Sequence, residues 1–217
     1  MLLSLLAALG GLVLAAFLRR GLARPGRNAR RGPTPRTCPC PTMVVLGSGG
    51  HTSEMIALLE GMDGKRYSPV GFVVADTDTS SLVRLEKAES VLKGAERHVY
   101  FIPRSREVKQ RWPSTVLSSI KALFSATRLV FNVRPELILV NGPGTCVPVC
   151  VAGVLLRSCG LGNPTIVFVE SICRVHSLSL TGRILYPFAD RFIVQWEELK
   201  NLYAASHPRI ELLANVF

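Results

Sequence analysis

The chain has 217 residues, of which 48% are hydrophobic and 19% are charged, and its formal net charge at pH 7 is +11. This length accommodates one ordinary α/β domain with an appendage and excludes two full α/β domains. The charge distribution argues against a nucleic-acid reader: seven arginines and no acid lie in the first 40 residues, whereas the rest holds 19 Lys and Arg against 15 Asp and Glu.

The N-terminus carries an uncharged apolar segment. Residues 1–18 contain no charged side chain, and the segment ends at Arg19 and Arg20. A helix of this length spans about 27 Å, which is enough for a thin bilayer. A cleaved signal peptide has a positive region before its apolar core, whereas a positive flank after the core follows the positive-inside rule. We therefore predict a transmembrane signal anchor over 1–18 and a cytosolic body.

Two composition changes divide the rest of the chain. Residues 19–41 are rich in arginine, proline and glycine, which predicts a tether that lies on anionic lipid headgroups. The folded domain is predicted over 42–217. The six cysteines of the whole chain are expected to be reduced in the cytosol. Cys38 and Cys40 of the tether, with no second pair at zinc spacing, are expected to be free thiols.

Apolar strand-like segments alternate with helical segments along the domain. The strand-like segments are 43–47, 70–76, 99–103, 136–142, 165–171 and 191–196. Strands that are apolar throughout are typical of a parallel sheet covered on both faces. We predict a doubly wound, Rossmann-like α/β domain with about six or seven parallel strands, whose ligands bind at the carboxyl ends of the strands.

The first strand runs into a glycine turn at residues 47–52. Glycines there let the chain turn sharply and let a ligand approach the backbone, while the following helix directs free N–H groups at the same space. A diphosphate suits such a site. The turn does not match a P-loop, since no lysine follows the glycines, and it lacks the third glycine of a dinucleotide fingerprint, which falls at Thr52. Asp76, where a ribose-binding acid would lie, keeps the dinucleotide alternative open.

His51 and the D-T-D triplet of residues 76–78 each have two interpretations. His51 is either a general base or phosphate ligand, or a residue that caps the helix or faces solvent. The triplet resembles a metal-binding D-x-D, but Asp78 also suits the N-cap of the next helix. We favour the cap.

Three further strand ends carry polar residues. Segment 103–114 places Arg104 and Arg106 in a basic run that is either a solvated loop or an anion site. Segment 141–145 is a second glycine turn, explained equally by packing and by ligand contact. Glu170 either pairs with Arg174 or hydrogen-bonds sugar hydroxyls or acts as a base.

The strand-end strings resemble a known family. "GSGGHTSEM", "ADTDTSS", "IPRSREVKQRWPST", "NGPGTCVP" and "VESICRV", in this order, are similar to the membrane-anchored subunits of the UDP-GlcNAc transferase of dolichol-linked oligosaccharide synthesis. The similarity runs from about residue 42 to the C-terminus. The glycine–histidine turn is also similar to the N-terminal half of the bacterial lipid-linked GlcNAc transferase of peptidoglycan synthesis.

The resemblance implies one half of a split, inverting GT-B glycosyltransferase. This half would bind the acceptor, GlcNAc-diphosphate-dolichol, on the cytosolic face of the endoplasmic reticulum membrane. A separate soluble subunit would bind UDP-GlcNAc, and neither half would be active alone. The family implies neither a metal nor another cofactor, and the chain is too short after the sixth strand for a second nucleotide-binding domain.

The resemblance also implies roles for particular residues. His51 and Glu170 would be the catalytic candidates, with the choice of base between them left open. The residues expected at the acceptor diphosphate are Gly47, Ser48, Gly49, Gly50, Thr52, Arg104, Arg106, Asn141, Gly142 and Gly144. The apolar C-terminus, with Val216 and Phe217 last, would dock the soluble subunit.

Two other functions remain to be tested against this one. The chain could be a catalytically inert membrane adaptor that only recruits the partner, with a vestigial glycine turn. It could also be a membrane-tethered NAD-dependent enzyme, although the missing third glycine argues against that function.

Overall fold

The computed structural model describes residues 38–88, 90–105, 112–142 and 144–213. The predicted anchor, the tether up to residue 37, Arg106, Val216 and Phe217 lie outside these ranges. Within them, no helix is both long enough and apolar enough to cross a bilayer.

The described residues form seven strands and six helices that largely alternate along the chain. The strands are β1 (Thr42–Val45), β2 (Val70–Ala75), β3 (Arg97–Ile102), β4 (Leu137–Asn141), β5 (Thr165–Val169), β6 (Arg191–Val194) and β7 (Ile210–Leu212). The helices are α1 (Gly50–Glu60), α2 (Thr79–Lys87), α3 (Trp112–Val133), α4 (Cys146–Ser158), α5 (Leu180–Leu185) and α6 (Glu197–Tyr203).

All seven strands belong to one parallel sheet with the order β3-β2-β1-β4-β5-β6-β7. The chain first builds outward from β1 to β3, then returns through α3 to β4 on the other side of β1. The strand order therefore reverses between β1 and β4, and the carboxyl ends of these two strands form the switch-point crevice where ligands of such sheets bind. The predicted doubly wound fold is confirmed.

The two faces of the sheet have separate cores. Met43 and Val45 of β1 belong to a cluster with residues of α3, α4 and α5. Val44 belongs to the opposite cluster, together with Met55 and Leu59 of α1. Each fully buried aliphatic side chain of this kind contributes about 1.5–3 kcal/mol. The buried face of α1 packs on the sheet, and this packing positions the preceding turn above the end of β1.

A buried ion pair joins α4 to the amino end of the sheet. Arg157 and Asp190 are 1% and 7% exposed and pair directly. Arg157 also donates to the carbonyl of Pro164, and Asp190 accepts from the backbone N–H of Ile166 at 2.7 Å. The charges are therefore compensated on both sides, as buried charges must be. The pair fixes the end of the sheet opposite to the switch point.

The structure differs from the sequence prediction mainly at the ends of strands. Each observed strand ends one or two residues before the predicted segment does, because the last residues of that segment turn toward the next helix. Near the C-terminus, where the sequence predicts no strand, Ile210–Leu212 pairs with β6 as β7.

Candidate active site

The glycine turn after β1 leaves open space in front of α1. Gly49 has φ +67°, a conformation that side chains rarely adopt, and a Cβ at Gly49 or Gly50 would meet no atom within 4 Å. No side chain caps the N-terminus of α1, and no acid lies in its first turn. The first N–H groups of α1 are therefore free to bind an anion. Ser48 is exposed at the same turn, whereas Gly47 is buried.

A hydroxyl network holds this turn from beneath. The hydroxyl of Thr52, which is fully buried, donates to the carbonyl of Gly47 and lies 2.6 Å from Ser81 Oγ. Ser81 in turn donates to Asp78 Oδ2 at 2.6 Å. The side chain of Thr52 therefore supports the turn, and only its backbone N–H is placed to meet a ligand.

Asp78 is the N-cap of α2, as predicted, and accepts from the Ser81 N–H. Burial acts to raise the pKa of Asp78, but hydrogen bonds from Ser81 and Ser80 and the positive charge of Arg104 outweigh it. The pKa of Asp78 therefore lies below its ordinary value. The half-buried Arg104 follows the carboxyl end of β3, so it lies at the same end of the parallel sheet as the glycine turn.

The second glycine turn faces His51. Gly142 follows β4 with φ +93°, and a Cβ there would lie 2.4 Å from His51 Cγ. The imidazole therefore lies directly over the Gly142 backbone, in space that any side chain at 142 would fill. Gly144 is exposed, and a Cβ at that position would meet no protein atom within 4 Å. The structure thus brings the turns after β1 and β4 together at the switch point.

Polar side chains hold His51 in place. Its Nδ1 lies 3.2 Å from Asn141 Oδ1 and 3.8 Å from Glu54 Oε2. Asn141 is fully buried at the end of β4 and donates from Nδ2 to Glu54 Oε2 at 3.1 Å. The His51 side chain is 34% exposed, so its ring is anchored on one side and accessible on the other.

Glu170 is held away from solvent. It is fully buried, its Oε1 accepts from Ser171 N–H at 3.1 Å, and its Oε2 accepts from both N–H and hydroxyl of Ser179 at 3.0 Å. A Cβ at Gly182 would lie 2.4 Å from Oε2, so a glycine makes room for the carboxylate. These contacts favour a structural role for Glu170, which joins β5 to the start of α5. Its catalytic role stays a prediction.

Sequence reasoning missed Glu54. It lies in α1 three residues after His51, a spacing that places both side chains on one helix face, and this was the available signal. Cys146 follows the second glycine turn, and burial raises the pKa of its thiol to about 12. This thiol therefore does not supply a thiolate nucleophile. The accessible base of the described crevice is the His51 imidazole.

The fold and the site together define a Rossmann-like domain with an open glycine turn and a hydrogen-bonded histidine at its switch point. The same fold occurs in MurG of Acinetobacter baumannii, with a TM-score of 0.56 and 16% sequence identity. The similarity covers 74% of this chain and 43% of MurG, so the chain spans less than half of the MurG length. At this identity the likeness shows the fold alone.

The chain belongs to the Alg14 family. Residues 42–209 match the family described as "Oligosaccharide biosynthesis protein Alg14 like". The UDP-N-acetylglucosamine transferase subunit ALG14 of Homo sapiens is 46% identical over 173 residues, which cover 76% of this chain and 79% of the human protein. The subunit of the same name from Schizosaccharomyces pombe is 40% identical over 181 residues, covering 82% of this chain and 86% of the yeast protein. The resemblance found in the sequence is confirmed.

Proposed function

We propose that this chain is the acceptor-side subunit of a glycosyltransferase that transfers GlcNAc from UDP-GlcNAc to GlcNAc-diphosphate-dolichol. The names of its relatives support the donor and the role of a subunit. The observation that carries the acceptor assignment is the juxtaposition of His51 with the two glycine turns. An anchored base lies beside an uncapped helix N-terminus, which is the combination that a sugar diphosphate needs.

The proposed reaction uses His51 as the general base. Nε2, the imidazole nitrogen that does not contact Asn141, accepts the proton of the acceptor sugar hydroxyl while that oxygen attacks C1 of the donor GlcNAc. The bond from C1 to the diphosphate breaks, and UDP leaves with the electron pair, which inverts the configuration at C1. The N–H groups at the start of α1 and the guanidinium of Arg104 bind the acceptor diphosphate.

The donor half is proposed to come from a soluble subunit. This chain spans 43% of MurG, and its relatives carry the word subunit in their names. An active site shared across the interface makes the subunit obligate, since neither part positions both substrates. The C-terminal residues Val216 and Phe217 are proposed to dock the partner. In the described part of the chain, β7 forms one edge of the sheet.

The apolar segment 1–18 is proposed to anchor the chain in the endoplasmic reticulum membrane with a single pass and a cytosolic domain. Its lack of charge and the arginines that follow it support this orientation. The anchor keeps the acceptor crevice at the surface where a lipid-linked substrate is presented.

A transfer assay tests the proposed function. The full chain is co-expressed with the soluble UDP-GlcNAc-binding subunit and supplied with UDP-GlcNAc and GlcNAc-diphosphate-lipid. We expect one GlcNAc to be added by the complex and by neither subunit alone, and a GlcNAc-monophosphate lipid to be a poor acceptor. Equal transfer by the soluble subunit without this chain would contradict the proposal.

A further inference from the structure

Glu54 joins three elements of the crevice through its carboxylate. Ser171, which follows β5, donates its hydroxyl to Oε1 at 2.7 Å. Asn141, at the end of β4, donates to Oε2 at 3.1 Å, and His51 Nδ1 lies 3.8 Å from the same oxygen. The Glu54 side chain is 16% exposed, so little water competes for these contacts.

The chemistry of the partners gives these hydrogen bonds a direction. A carboxylate only accepts, so the Asn141 amide must turn its nitrogen toward Glu54 and its oxygen toward His51. The amide oxygen also only accepts. The hydrogen bond of 3.2 Å between Asn141 Oδ1 and His51 Nδ1 therefore requires that the neutral imidazole carries its proton on Nδ1. The lone pair is thereby left on Nε2. Glu54 therefore determines the tautomer of His51 without contacting substrate.

The charges around His51 strengthen this arrangement. On α1 the charged neighbour of His51 is Glu54, whereas β4 presents the neutral Asn141 amide to it. The neutral Ser171 hydroxyl, after β5, contacts Glu54. The carboxylate of Glu170 is bound to the Ser179 N–H and hydroxyl. The negative charge that stabilises an imidazolium formed during proton transfer is that of Glu54.

We propose that Glu54 is the positioning residue of the active site: through Asn141 it holds the His51 proton on Nδ1, so that Nε2 takes the proton of the acceptor hydroxyl. The inference rests on the proposed function for its catalytic consequence. The tautomer itself is a property of the chain and is measured independently of turnover.

Exchanging the carboxylate and the amide between positions 54 and 141 tests the inference on the assembled complex. In the double variant Glu54→Gln with Asn141→Asp, position 141 carries the carboxylate, which accepts from His51 and from the amide nitrogen introduced at position 54. The amide oxygen at position 54 still accepts from Ser171, so each hydrogen bond has a counterpart. The single variant Asn141→Asp instead places two carboxylates side by side, and Glu54→Gln removes the charge alone.

We expect kcat to fall about 10-fold in Glu54→Gln and about 10²-fold in Asn141→Asp, with KM nearly unchanged, and to return to within about 5-fold of wild type in the double variant. As the pH is lowered, the double variant should lose activity at a higher pH than wild type does. The reason is that the carboxylate at position 141 adjoins the His51 imidazole directly and favours its protonated form. Glu60→Gln, which makes the same change at an exposed position of α1, should equal wild type. A double variant no better than Asn141→Asp would overturn the inference.

Nitrogen-15 NMR of histidine-labelled complex supplies the readout that needs no turnover. The His51 signals, assigned by their loss in His51→Ala, should show a protonated Nδ1 in wild type and a mixture of tautomers in Glu54→Ala. A protonated Nε2 in wild type would overturn the inference even if transfer is observed. The predicted tautomer in a complex without transfer would sustain the positioning role and reject the proposed function.

Discussion

His51→Ala is expected to lower kcat for GlcNAc transfer by about 10²–10⁴-fold, the range that a general base contributes, while the complex with the soluble subunit still forms. The ring is partly exposed and packs over Gly142, so its removal takes away the accessible base without emptying the core. Initial rates of the co-expressed complex, normalised to subunit content after pull-down, measure the effect.

His98→Ala is the matched control for this substitution. His98 lies on the edge strand β3, where its imidazole is exposed and contacts Glu96. It is expected to leave the rate unchanged. Should His51→Ala and Glu170→Ala both retain more than a tenth of the wild-type rate in an intact complex, the chain would be an adaptor that recruits its partner without supplying the base.

Glu170→Ala is expected to reduce the free energy of unfolding by about 3 kcal/mol, because it leaves buried donors without an acceptor and opens a cavity. The carboxylate accepts from both Ser171 and Ser179, so both ends of the connection between β5 and α5 lose a partner at once. Turnover per folded molecule should change less than it does in His51→Ala. Urea denaturation of the full chain, followed by circular dichroism, measures the stability.

Glu198→Ala, at an exposed position on α6, provides the control and should change stability by less than about 0.5 kcal/mol. If Glu170→Ala were as stable as wild type but inactive in the complex, Glu170 would be the base and the structural role argued above would be wrong.

The sheet was predictable because its central strands are apolar on both faces. β2 and β5 are buried at every residue, and short apolar runs of this kind that alternate with helical segments are typical of a parallel sheet covered on both faces. β7 was not predicted as a strand: it has only three residues, and Glu211 interrupts its apolar character. Its strand conformation depends on pairing with β6, which is a contact that local sequence does not report.

The position of the site was predictable from the sequence, but the roles of the individual side chains within it were not. Glycines after β1 and β4 identify the crevice, since sharp turns at strand ends need them. Glu54 bonds to residues 87 and 117 positions away, and such pairing follows only from the completed fold. Glu170 illustrates the same limit, because whether a strand-end carboxylate points into solvent or into the core is decided by α5.

The central claim is that this chain holds the lipid-linked acceptor between its two glycine turns. Photo-crosslinking of the assembled complex with a GlcNAc-diphosphate lipid carrying a photoreactive group near the diphosphate tests it most directly, with adducts located by mass spectrometry. We predict adducts within residues 47–52 and 141–145 that unlabelled acceptor suppresses and UDP does not. Adducts confined to the soluble subunit would contradict the claim.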